Sequence, residues 1–232
     1  IYPHGIDAYM SHILLYKMFS EKFVVSFGAQ FWFISTILQF YLLYPLFNLF
    51  VKSLSSYLAI LVSLLISISY SILVVQAGFA ETRIWNSFFL QYLWEFVLGM
   101  VVARSGIIDI LVSLKLWKYL ILAAGSYVAM YLLVKNFGAV GKNVNDVFSF
   151  LGYVSIVLIV YKLPAGSIRR FVLWIEPFSF SLFLIHYFVY DFFRVVINHG
   201  RMTVEYFPII LVVSLVIGYY YNLLLMQLSP QK

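Results

Sequence analysis

Between Phe23 and Val51 the chain carries no formal charge, a run longer than the about 20 apolar residues needed to cross a hydrocarbon core. Its centre, Gln30 to Phe50, reads QFWFISTILQFYLLYPLFNLF, and an uncharged segment of that length commits the chain to a membrane helix. The segment is nevertheless not uniformly apolar. Trp32, Ser35, Thr36 and Gln39 recur at helical spacing, which lines them along one side of the helix. In lipid an unpaired amide or hydroxyl costs on the order of a few kcal/mol, so this stripe is predicted to face protein or a polar cavity. Pro45 interrupts the backbone ladder near the far end.

The rest of the composition agrees with a membrane chain. Of 232 residues, 64% are hydrophobic and 10% charged, and the mean hydropathy is +0.97; soluble domains hold about 45–50% apolar and about 25% charged residues. The expected fold class is therefore all-α, a polytopic transmembrane helical bundle, organised as one membrane-embedded domain over residues 1–232. With no cysteine, disulfides and thiolate chemistry are excluded. The net charge of +6 suits basic loops against anionic lipid headgroups rather than nucleic acid. The chain opens on IYPHGIDAYMSH, without the basic stretch and short apolar core of a signal peptide, and further sequence is expected upstream of Ile1.

Seven spans are predicted in order. Ile1 to Lys22 is mixed in polarity and reads as an interfacial or loop segment. Spans follow at 23–51, 57–79, 87–102, 119–134, 147–161, 178–196 and 208–228. Ser63, Ser67 and Ser71 form a small-residue seam on the second span, which lets a neighbouring helix approach. Asn136 to Asp146, NFGAVGKNVND, reads as a loop whose Asn and Asp cap the next helix. The short basic connections 104–118 and 162–170 fall on one side, which with the C-terminus is expected to be cytoplasmic.

Ionisable residues at membrane depth are candidate functional groups. Gln91, Glu95 and Gly99 share one helix face, where a neighbouring backbone is expected to approach the glycine, and Ser179, His186 and Tyr190 share another. Glu95 and His186 each have an alternative role in locking helix packing. Asp191 and Arg194 are spaced to pair one turn apart. Arg83 and Glu81 read as loop charges, although an Arg beside the bilayer can clamp a phosphate. His4 and His12 carry weaker claims. No nucleotide-binding loop, metalloprotease or nucleophile-elbow motif is present.

Three segments resemble the acyltransferase 3 family of integral-membrane acyltransferases. FWFISTILQFYLLYP, Phe31 to Pro45, is similar to that family's WSLSVEEQFYLLWP hallmark, with Trp32, Ser35, Gln39, Phe40, Tyr41 and Pro45 in register. WEFVLGM, Trp94 to Met100, resembles its later W-x-F-x-x-G segment, and FSFSLFLIHYFVY, Phe178 to Tyr190, its S-x-S-L-Y-L-x-H-F motif, with His186 at the histidine. The family's acidic pair is replaced by Ile37 and Leu38.

The resemblance implies a fold of about ten helices, with three helices and the catalytic histidine expected upstream of Ile1, so no catalytic residue is assigned within the chain. It implies transfer of an acyl group, usually acetyl, from acetyl-CoA or another acyl-CoA to a hydroxyl of a cell-surface or extracellular glycan, by a multi-pass plasma-membrane protein. The expected substrate-binding residues are Trp32, Ser35, Gln39, Tyr41, Glu95, His186 and Tyr190. Arg169 and Arg170, in the most basic connection, are expected to meet the CoA phosphates. The expected partners are acyl-CoA, a glycan or other hydroxyl acceptor and the lipid bilayer, with no metal and no nucleic acid. The alternatives are a transporter or flippase of polar or lipid-linked substrates, and a noncatalytic membrane scaffold.

Overall fold

A computed structural model describes residues 5–14, 16–24, 26, 28, 31–164, 166–197 and 204–228. His4, Gln30 and Lys232 lie outside the described residues. Among them the chain is helical, with no strand: α1 (Ile6–Ile13), α2 (Trp32–Ser53), α3 (Ser56–Gln76), α4 (Arg83–Asn86), α5 (Leu93–Ser105), α6 (Ile107–Ser113), α7 (Leu116–Val144), α8 (Asp146–Lys162), α9 (Ser167–Ile175), α10 (Ser179–Phe192) and α11 (Phe207–Leu228). Among the described residues, seven stretches are long and apolar enough to cross a membrane: Trp32–Ser53, Ser56–Gln76, Arg83–Ser105, Leu116–Gly138, Val140–Lys162, Ser167–Ile197 and Phe207–Gln227.

The predicted number of spans is found among the described residues, with shifted boundaries. The first helix starts at Trp32 rather than Phe23. Before it, Gly28 adopts φ 103°, left-handed backbone that glycine reaches without a Cβ clash. The third span is broken. A short helix, α4, ends at Asn86, and a 3-10 turn over Phe89–Tyr92 leads into α5.

The predicted loop 136–146 is instead helical, because α7 continues through a kink at Gly138 (φ 54°, ψ −123°) to Val144. Past the kink the backbone folds so closely that a side chain at Gly141 would collide with the Leu133 carbonyl. The connection 162–170 is likewise largely helix. Arg169 and Arg170 sit in α9, and Pro177 joins α9 to α10 through a 3-10 turn.

The described chain forms two compact units. Unit 2, residues 9–24 and 32–164, holds five of the membrane-length helices. Its core is Phe40, Val51, Ala59, Leu93, Val97 and Val101. Phe40 stacks on Phe96 at 4.4 Å with an 8° interplanar angle. The serine seam of α3 is buried and packs on α5, where the Ser67 hydroxyl accepts from the Trp94 backbone N–H at 3.3 Å. Small side chains let the two backbones meet, and their hydroxyls satisfy what the approach exposes.

Unit 1, residues 1–8, 25–31 and 165–232, contains α9 to α11. Here α10 and α11 pack tightly: a Cβ at Gly218 would stand 3.2 Å from the Leu182 Cα.

Candidate functional site

In unit 2 the polar stripe of α2 serves the break in the third span. At Ser87 the carbonyl has left the helical ladder. Thr36 Oγ1 donates to it at 2.8 Å and Gln39 Nε2 at 3.3 Å. Gln39 Nε2 also donates to the Ser35 carbonyl, and Gln39 Oε1 accepts from the Phe89 N–H at 3.1 Å. An amide has two donor hydrogens and an acceptor oxygen, so Gln39 is engaged on both ends. Ser35 and Thr36 are buried beside it. This repair of orphaned backbone groups is the physical reason a greasy helix carries polar residues at this spacing.

Trp32 opens the same face. Its ring lies 5.5 Å from that of Tyr92 and 4.9 Å under the Arg83 guanidinium. Arg83 and Tyr92 line a polar pocket of about 400 Å³ with Glu81, Asn86, Gln91, Lys142 and Asp146. Inside it Gln91 bridges two elements, with Oε1 accepting from Ser71 Oγ at 2.9 Å and Nε2 donating to Asp146 Oδ2 at 3.1 Å. Lys142 pairs with Glu81 at 3.3 Å, both exposed.

Asp146, read from sequence as a helix cap, is thus a pocket carboxylate. No spacing signal marks it, because the kinked helix end that presents it is fixed by Gly138 and Gly141.

Glu95 and Tyr41 come together in a separate cleft of about 510 Å³, with Tyr44, Gly99 and Arg104. Nothing lies within 4 Å of a Cβ built on Gly99, so the neighbouring backbone expected there is absent among the described residues.

In unit 1, His186, Tyr190, Ser179, Arg194 and Ser214 line a cavity of about 940 Å³ between α10 and α11. His186 Nδ1 lies 2.6 Å from the Phe183 carbonyl. A carbonyl can only accept, so Nδ1 carries the hydrogen; in the neutral ring Nε2 then keeps its lone pair. The Ser214 hydroxyl is buried and has no hydrogen-bond partner among the described residues. Arg194 pairs with Asp191 at 2.7 Å, as their spacing predicts. On α9, Arg169 is half-buried and Arg170 exposed.

Trp32, Ser35, Gln39, Tyr41 and Glu95 therefore belong to one unit, and His186, Tyr190, Arg169 and Arg170 to the other. Outside the spans, His12 stands near the buried Lys17. Burial pushes the Lys17 ammonium down to about 8, and burial together with the Lys17 charge lowers His12.

A family model described as an acyltransferase domain, that of acyltransferase 3, matches residues 8–223. No curated protein and no solved structure gives a match.

Proposed function

We propose, from the premise that the chain belongs to the acyltransferase 3 family and is a multi-pass membrane acyltransferase, that it acylates a cell-surface or extracellular glycan. The donor in this reading is acyl-CoA, with acetyl as the acyl group, and the site of action is the plasma membrane. In this reading residues 1–232 belong to one membrane-embedded acyltransferase domain.

The observation behind the reading is the family match over residues 8–223, which takes in the motif helices α2, α5 and α10. The His186 cavity suits the acceptor. Nε2 of the neutral ring accepts a hydroxyl hydrogen, and the Ser214 hydroxyl needs a partner that a sugar can supply. Tyr190 and Ser179 add further hydroxyls along the same wall. In the reaction the acceptor oxygen bonds to the acyl carbon, the carbon–sulfur bond breaks, and the hydroxyl proton passes to the departing thiolate.

Arg169 and Arg170 are consecutive cations near the start of α9, and Arg170 is exposed with no carboxylate partner among the described residues. Guanidinium groups meet phosphate oxygens in two-pronged contacts, so this pair fits the phosphates of CoA. Membrane vesicles holding the protein and given radiolabelled acetyl-CoA on the arginine side should place base-labile label on glycan at the opposite face. Label that never leaves the thioester in wild-type vesicles, at verified protein levels, would contradict the reading.

A further inference from the structure

We infer that unit 2 binds an anionic glycolipid, with its hydrocarbon chain in the groove along α8 and its head in the Arg83 pocket. The inference rests on the acyltransferase reading, under which sugar-bearing lipids are met at the enzyme's bilayer, and it adds a binding site to the His186 cavity rather than placing the reacting hydroxyl in unit 2.

The groove holds about 790 Å³ between α5, α6, α7 and α8; its walls include Leu98, Leu111, Leu122, Phe150 and Val154, and besides Asp146 its charged residues are Glu95 and Lys118. Tyr119 pins one wall by donating its hydroxyl hydrogen to the Leu111 carbonyl. The α8 face from Asp146 to Leu158 lines it, about 18 Å at 1.5 Å per residue. That exceeds half of a hydrocarbon core about 30 Å thick, so a chain as long as one leaflet fits lengthwise.

What separates this groove from an ordinary lipid-facing surface is its end. Asp146 lines the groove and also the polar pocket of about 400 Å³, so the two spaces meet at one carboxylate. A mostly apolar passage opening on a polar chamber is the shape of an amphiphile.

The chamber's chemistry specifies the head. Arg83 stacks on Trp32 and has no carboxylate partner among the described residues, which leaves its guanidinium for a phosphate. Lys142 also lines the pocket but is already paired with Glu81, which lines it too, so Arg83 is the cation offered to the phosphate. Asn86 Oδ1 is buried with no hydrogen-bond partner, and Asp146 can accept further hydrogen bonds. Acceptor oxygens beside cations suit hydroxyls next to a phosphate, as in a sugar joined to its chain through phosphate. A choline headgroup would leave these acceptors unfilled.

The test uses the full protein in phosphatidylcholine nanodiscs with a trace of tetradecyl glucosyl phosphate bearing a mid-chain diazirine. Illumination should label peptides containing Leu98, Leu122 and Val154, and unlabelled probe should compete. Glucosyl phosphate without a chain should compete less than a tenth as well. Val154→Trp, which fills the groove, should cut labelling at least tenfold, and Arg83→Gln severalfold. If Val154→Trp does not fold, Leu98→Phe and Arg83→Gln carry the comparison.

Equal, undisplaced labelling of the same peptides by a photoactivatable phosphatidylcholine would mean ordinary bilayer lipid and overturn the inference. Displacement by palmitoyl-CoA but not by the unlabelled glycolipid would also overturn it, by seating a donor chain there. Binding is scored without acyl donor. Labelling that persists in a protein unable to transfer would sink the proposed activity alone, whereas transfer to a soluble glycan with no labelling would sink this inference alone.

Discussion

In unit 2, Thr36, Gln39, Ser67, Ser71 and Gln91 are consumed by contacts to other helices and turns. In unit 1, among the described residues, Ser179 and His186 bond only to carbonyls one turn back, at Glu176 and at Leu182 and Phe183, and the Ser214 hydroxyl has no partner. Both units place polar side chains on apolar helices at the same helical spacing. One set closes the protein's own backbone, and the other is left facing a cavity of about 940 Å³. Spacing alone cannot tell the two apart; what separates them is whether a broken element stands opposite.

The sharpest way to break this contrast is Gln39→Leu. It strands the Phe89 N–H and removes one of two donors to the Ser87 carbonyl. Unsatisfied buried groups cost about 1–3 kcal/mol each, so a loss of about 2–4 kcal/mol should appear as lower yield and a lower detergent melting temperature. His186→Ala should do the reverse. Transfer should fall about 10- to 100-fold, roughly 1.4–2.8 kcal/mol at about 1.4 kcal/mol per decade, with the melting temperature unchanged.

Ser71→Ala sharpens the comparison at lower amplitude. It removes the bond to Gln91 Oε1 but leaves the Gln91 contact to Asp146. Interhelical hydrogen bonds in membranes average about 0.6 kcal/mol, and a melting shift of that order is expected with transfer intact.

The smallest effect lies outside the spans. Lys17, held at about 8 against an ordinary 10.5, sheds its proton earlier folded than unfolded. Between those values the unfolded chain binds more protons, so stability should rise with pH from about 8 toward 10.5. Below about 8 both states are charged and the desolvation cost persists. Lys17→Met should flatten the slope of melting temperature over that window. A slope of the opposite sign would refute the burial argument.

Much of the fold was legible from hydropathy, because seven apolar runs leave a chain few alternatives to seven membrane helices. The resemblance in Phe31 to Pro45, Trp94 to Met100 and Phe178 to Tyr190 pointed to the family that the match over residues 8–223 supports. Boundaries were less readable where backbone geometry decided them. Gly138 reads as a loop residue, yet it kinks a continuing helix. Ser87 reads as the start of a span, yet it marks a break whose repair comes from residues roughly fifty positions earlier.

The pockets were harder still. Asp146 looked like a cap, and only the fold joins it to Gln91 and Arg83. Tyr41 and Glu95 were singled out separately, and the cleft that unites them is a tertiary fact.

The most direct test of the account compares acyl transfer per folded molecule for wild type, His186→Ala and Gln39→Leu in the same vesicles. Gln39→Leu should keep near wild-type transfer once corrected for its lower folded yield, while His186→Ala should lose at least tenfold at full yield. Equal specific transfer by His186→Ala and wild type would contradict it and leave the unit 1 cavity without a role in acceptor binding.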